Sequence, residues 1–272
     1  MITMAYFVIR QNKSFILGEL KMKVVLCKDS NDLGAQASKQ ATACIKEAIA
    51  KTGNARILLS TGASQFTFFE HFVKEDIDWD KVEMFHLDEY VGCSIEHPAS
   101  FKKYLTERFI NVVGLKNYHL IDGTKDPQET IAELTELLNQ KQVDVGLIGI
   151  GENGHIAFND PPADFNDQRF YKIVDLSDTC KAQQLREGWF ATKDDVFKQA
   201  ISMTCSKIMD CKVIISAVPY AQKAQAIHDT LTQEENNLVP ATLMKKHADC
   251  TVYVDPDSAS LTDAATLAKF AK

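Results

Sequence analysis

Gly149-Ile150-Gly151-Glu152-Asn153-Gly154-His155-Ile156-Ala157-Phe158-Asn159-Asp160-Pro161 follows the apolar run Val143 to Ile150, and the two segments together decide how the chain is read. The apolar run reads as a strand buried on both faces, the mark of a parallel sheet covered by helices. The glycines at 149, 151 and 154 let the backbone turn sharply and come close to a ligand. Into that turn the chain places one histidine, a carboxylate at each end and two asparagine amides. Open α/β sheets carry their chemistry at such loops, at the carboxyl ends of buried strands.

Working outward, the same alternation recurs. Lys23–Lys28 reads as a strand and Asp32–Lys51 as an alanine-rich helix capped by Ser30. Arg56–Leu59 is a short apolar strand ending in Ser60-Thr61-Gly62-Ala63-Ser64, and Phe66–Lys74 the next helix. Val82–Leu87 is a strand ending in Asp88-Glu89-Tyr90, and Pro98–Ile110 a helix with proline in its first turn. Tyr118–Ile121 reads as a strand and Pro127–Gln140 as a helix. Lys212–Val218 and Thr251–Val254 are strands, Ala221–Thr230 and Leu261–Ala271 helices. This pattern predicts an α/β fold, an open and mostly parallel sheet with helices on both faces. Segments 60–64, 86–90 and 149–160 then share one rim, where ligands bind.

The 272 residues form one domain over 22–272, with residues 1–21 read as an extension, since no repeat or linker-like tract divides the rest. A net charge of −7, with no basic cluster, excludes nonspecific nucleic-acid binding but not a phosphorylated metabolite, which needs only a few local donors. The seven cysteines are scattered without zinc-ligand spacing, which predicts free thiols in a reducing cytoplasm. No run reaches transmembrane length, so no membrane partner is expected.

Each rim segment carries its own chemistry. Ser60 to Ser64 joins a strand to a helix, and its amides, hydroxyls and helix N-terminus suit a phosphate; glycine spacing and a following lysine of the P-loop type are absent. Adjacent side chains on a strand point to opposite faces, so Asp88 and Glu89 cannot form a dyad. One can enter the cleft as a base while the other caps or pairs structurally. His86 reads as a packed strand residue, Cys93 as a small buried hydrophobe. A histidine acting as an acid needs a carboxylate to orient its ring, and Asp160 or Glu152 could supply it. No nucleophile-elbow pattern accompanies it, so a base plus an acid-base histidine points to proton transfer beside a carbonyl.

These residues resemble a known family. Phe85-His86-Leu87-Asp88-Glu89-Tyr90-Val91-Gly92, followed by Glu96-His97-Pro98-Ala99-Ser100-Phe101, is similar to the DEYVG…HPxS segment of glucosamine-6-phosphate deaminases. Gly149 to Pro161 resembles their G-x-G-x-[DN]-G-H-I-A-F-N-[ED]-P loop, and Gln222-Lys223-Ala224 their late Q-K-A segment. The resemblance runs in order from Met22 to the C-terminus and implies a Rossmann-like sugar-phosphate deaminase fold. It implies a 2-amino-2-deoxyhexose 6-phosphate as substrate, whose ring opens before a proton moves between C2 and C1 and ammonia leaves. Asp88 matches the C2 base and His155 the ring-opening acid, with Asn153 and Asp160 beside it. Thr61, Gly62, Ala63, Ser64 and Lys223 match phosphate-binding positions, and Arg186 lies near a family arginine on the helix after the histidine loop. No metal or organic cofactor is implied, and a homo-oligomer is compatible with the resemblance.

Two positions depart from the family pattern. Asn153 stands where aspartate is common and Asp160 where glutamate is common. An amide cannot take up a proton, so Asn153 is expected to orient the ring or substrate, with the pair tuning the histidine or shifting preference toward galactosamine 6-phosphate. Asp164 and Phe165 replace small hydroxyl residues, which argues against amino-sugar-phosphate allostery. Two other readings remain. One is a 6-phosphogluconolactonase, whose loop typically continues T-A-S-x-F-P after the histidine. The other is a sugar-phosphate sensor without turnover.

Overall fold

The computed structural model describes residues 21–271, so the extension expected over residues 1–21 falls outside the described residues except for Lys21. Seven parallel strands form the central sheet: β1 (Lys23–Leu26), β2 (Ala55–Leu59), β3 (Val82–His86), β5 (Asn117–His119), β6 (Val145–Leu147), β9 (Val213–Val218) and β10 (Cys250–Val254). Their order across the sheet is β1-β10-β9-β6-β2-β3-β5. Every residue of β2, β6 and β10 is buried, as a strand covered on both faces requires.

One face is covered by α1 (Ser30–Thr52), α2 (Phe66–Phe72) and α3 (Phe101–Leu105), the last continuing through Thr106–Ile110 into α4 (Asn111–Val113). Leu33, Ala37, Ala41 and Ile45 of α1 recur at helical spacing and bury against Ile57, Val145 and Ile215. Short alanines let α1 lie close to the sheet. The other face carries α5 (Pro127–Asn139), α7 (Cys205–Met209), α8 (Ala224–Thr232) and α9 (Ala264–Ala268), which enclose Leu134, Ile208, Ile227 and Phe270. The expected α/β architecture is therefore present.

Local differences have local causes. The cap of α1 is Asp29 rather than Ser30: Asp29 is extended, and its carboxylate accepts the Asp32 amide at 2.8 Å. The helix expected from Pro98 starts at Phe101, because Ser100 caps it by accepting the Lys103 amide. The buried run 143–150 has ladder geometry only over Val145–Leu147, since the glycines that follow turn it toward the rim.

A second sheet was absent from the expected pattern. Its antiparallel order is β4 (Asp88–Tyr90), β8 (Gln199–Met203) and β7 (Tyr171–Asp175), and α6 (Asp178–Arg186) lies between β7 and β8 in the chain. Leu87 links the two sheets, donating its amide to Leu59 O at 3.1 Å and accepting from the Met203 amide at 3.0 Å. Asp88 thus sits where the chain passes from one sheet to the other.

Gly34 is where α1 and α2 come closest, and a Cβ there would run into the Thr67 carbonyl. Gly34→Ala is expected to lower stability by about 1–3 kcal/mol through overpacking, read as a shift in the urea midpoint against wild type.

Candidate active site

A cleft with about 540 Å³ of empty space, part of it open solvent, lies on the rim, lined by the ends of β2, β3 and β6, by the histidine loop and by α6. Thr61, Gly62, Ser64, Asp88, His155 and Lys223 all line it, as do Ser60, Gly149 and Phe101. Residues far apart in sequence meet because parallel strands end on one side.

The histidine loop is pinned at several points. Gly151 donates its amide to His155 O at 2.9 Å, and Gly154 donates to Gly151 O at 3.0 Å with φ +79°. Only glycine adopts that backbone cheaply. Asn159, buried, donates its side-chain amide to Ile156 O at 2.9 Å and to Met203 O at 2.8 Å, tying the loop to the second sheet. The imidazole lies over Gly151, whose missing side chain makes room for it.

His155 Nδ1 is 2.6 Å from Asn153 Oδ1 and 3.3 Å from Asp160 Oδ1. Asn153 Nδ2 in turn donates to Asp160 Oδ1 at 3.1 Å, and Ser177 Oγ donates to Asp160 Oδ2 at 2.5 Å. With Nδ1 committed to these acceptors, Nε2 is the nitrogen able to exchange a proton with a ligand. Burial raises the Asp160 carboxyl, but hydrogen bonds from His155, Ser177 and Asn153 and the histidine's charge outweigh it and hold the group at about 2. Of the two carboxylates considered for the histidine, Asp160 is therefore its partner. Glu152 instead pairs with Arg186, and its amide donates to Gln183 Oε1 at 3.2 Å.

Asp88 and Glu89 are both buried and face different surroundings. Burial, reinforced by the neighbouring Glu89 charge, pushes the Asp88 carboxyl up to about 8. Glu89 takes the structural alternative: it accepts from Ser100 Oγ at 2.9 Å and from the Lys102 amide at 2.7 Å, holding the start of α3. Burial also raises its carboxyl, with those hydrogen bonds opposing. His86 is wholly buried with neither ring nitrogen bonded, and burial drives it down to about 3, in keeping with a packed neutral side chain. Burial pushes the Cys93 thiol up to about 12, so it carries no reactive thiolate.

Ser60 Oγ, also lining the cleft, is buried without a hydrogen-bond partner. Gln65 bridges the 60–64 loop to β9, donating to Ser64 Oγ and to Ala217 O, each at 3.1 Å. Lys223 is buried, and its burial lowers the ammonium's pKa against the opposing charges of Glu187 and Glu152. The turn presenting Lys223 passes through Tyr220 at φ +80°, whose amide donates to Asp255 at the end of β10.

Ala63 and Arg186 do not line the cleft. Arg186 is exposed and engaged with Glu152, which leaves Lys223 as the cation among the residues lining the cleft. Gln183, Gln184 and Glu187 do line it, and the sequence did not single them out: the resemblance pointed to Arg186 on this helix, and no local signal tells which of its polar residues face the cleft. Among the described residues no group of three or more His, Cys, Asp or Glu side chains could hold a metal ion. Nor is any described helix long and apolar enough to cross a membrane.

Asp88 and Asp160 should show opposite pH effects on stability. Asp88, raised in the fold, costs stability as pH climbs from about 4 to 8, so Asp88→Asn should stabilise most near pH 8. Asp160, lowered in the fold, contributes stability above about pH 4 that is lost as pH falls toward 2. Asp160→Asn should therefore cost on the order of 2 kcal/mol at neutral pH, a difference that shrinks in acid. Urea unfolding at pH 2.5, 4, 6 and 8 checks both signs.

Comparison with known proteins agrees with this geometry. Residues 28–253 match the family model of glucosamine-6-phosphate isomerases/6-phosphogluconolactonase. A glucosamine-6-phosphate deaminase of Streptococcus uberis is 33% identical over 243 residues, 89% of this chain and 100% of that protein. One from Exiguobacterium sibiricum is 35% identical over 204 residues, 75% of this chain and 79% of that one. Among solved structures, a monomeric glucosamine-6-phosphate deaminase superposes with a TM-score of 0.81 at 27% identity, over 88% of this chain and 100% of its own. The 6-phosphogluconolactonase of Trypanosoma brucei, at 13% identity, shares the fold with a TM-score of 0.73, over 90% of this chain and 100% of that one. The chain belongs to the family of glucosamine-6-phosphate isomerases and 6-phosphogluconolactonases.

Proposed function

We propose that the protein is an amino-sugar-6-phosphate deaminase, converting glucosamine 6-phosphate, or its galactosamine epimer, to the ketose 6-phosphate and ammonia. The observation that carries this reading is one cleft lined together by a phosphate-suited loop, a buried lysine, a raised carboxyl and an oriented histidine. The deaminase relatives, aligned over most of the chain, support it.

In this reading Ser60, Thr61, Gly62, Ser64 and Lys223 hold the 6-phosphate. His155 Nε2 gives a proton to the ring oxygen as the pyranose opens, and the O1 hydroxyl proton passes to solvent to leave the C1 aldehyde. Asp88 then takes the proton from C2 and returns it at C1 while a proton passes from the 2-ammonium group to O1, and the resulting 2-iminium ion is hydrolysed by water with loss of ammonia. A base whose pKa lies near the working pH suits such a transfer. Asn153 and Asp160 act through His155, as positioning residues. With free thiols, a cytoplasmic enzyme made of one domain over 22–272 is the form we propose.

Ammonia release from each sugar phosphate tests the reading. Activity is expected with at least one of them, reduced at least about 10²-fold in Asp88→Asn and in His155→Gln. Lys223→Met is expected mainly to raise KM, since its contact with the phosphate is the same in ground and transition states. No ammonia from either sugar, with hydrolysis of 6-phosphogluconolactone instead, would replace the deaminase by the lactonase.

A further inference from the structure

The α6 wall of the cleft carries a charge that the steps above do not use. Glu187 lies one residue past α6, and the chain reverses at Gly188, φ +80°. Gln183 Nε2 donates to one Glu187 carboxylate oxygen at 2.8 Å, and Trp189 Nε1 donates to the other at 3.1 Å. Both donors are neutral, and a carboxylate has about four acceptor sites, so this one is held in place without being neutralised. Lys223 acts on it only through space.

Glu187 lines the same cleft as the phosphate loop, Lys223, Asp88 and His155. A fixed carboxylate repels a phosphate dianion, so its presence in this cleft calls for a cation elsewhere on the ligand. A 2-amino-2-deoxyhexose 6-phosphate carries one, the ammonium at C2.

We infer that Glu187 is a specificity-determining residue that accepts a charge-assisted hydrogen bond from the substrate's 2-ammonium group and so selects amino sugars over hydroxyl sugars. This inference rests on the deaminase reading. A hexose 6-phosphate with a hydroxyl at C2 meets the same carboxylate with a neutral donor and keeps the repulsion on its phosphate.

Two non-reacting probes isolate the effect: 2-amino-2-deoxyglucitol 6-phosphate and glucitol 6-phosphate, titrated calorimetrically into wild type, Glu187→Gln and Glu187→Asp. Wild type should bind the amino probe at least about tenfold more tightly. Glu187→Gln should bring the ratio close to one, with glucitol 6-phosphate bound equally well or better. Glu187→Asp, which keeps the charge one methylene further back, should give an intermediate ratio. An unchanged ratio in Glu187→Gln, or equal weakening of both probes, would overturn the inference and leave Glu187 as a support for Lys223. If Glu187→Gln does not fold, an unchanged ratio in Glu187→Asp overturns it. Failure of the deaminase reading shows up separately, as absence of ammonia release, which these titrations do not measure.

Discussion

The backbone at Leu87 holds the site together. Its amide belongs to the parallel sheet, bonded to Leu59, and its carbonyl to the antiparallel one, bonded to Met203. One residue thereby ties the two sheets together, and Asp88 is the next. Because Asp88 pairs with Ser202 in the small sheet, its carboxylate cannot retreat toward solvent. Burial at this junction then raises its pKa, and the Glu89 charge adds to the rise.

The histidine loop depends on the same junction. Asn159 reaches Met203 O, and the Phe158 amide donates to Ser202 Oγ at 3.0 Å, so β8 anchors both the base and the acid of the proposed reaction. Preorganisation of this kind fixes distances before a ligand arrives. It also divides labour between neighbouring polar groups. Asn153 aims the ring, Asp160 holds its charge, and Ser177 at the start of α6 holds Asp160. With an amide at 153, Asp160 is the carboxylate that faces Nδ1.

The α6 segment serves both the histidine and the cleft. Its N-terminal cap, Ser177, supports the histidine system, while its far end brings Glu187 into the cleft that Lys223 also lines. Arg186 on the same helix faces Glu152 instead of the cleft. A helix turns by about 100° per residue, so Gln183, Gln184 and Glu187 share the side facing the cleft while Arg186 points away from it.

Much of this was legible in residue order. Apolar runs such as Ile57–Leu59 and Ile214–Val218, helices with alanine or leucine at helical spacing, and glycines where strands end determined an open α/β sheet and its functional rim, because these signals arise from local geometry and burial. Asp88, His155 and the 60–64 loop stood out for the same reason, lying at strand ends. Only the tertiary structure decided the rest. The second sheet was hidden because its strands, Asp88–Tyr90 and Tyr171–Asp175, are short and bear charged residues, and are stabilised by long-range pairing rather than by pattern. The choice of Asp160 over Glu152, the turning away of Arg186 and the arrival of Glu187 in the cleft each depend on where α6 docks. Docking sums contacts between residues distant in sequence, and no local spacing records that sum.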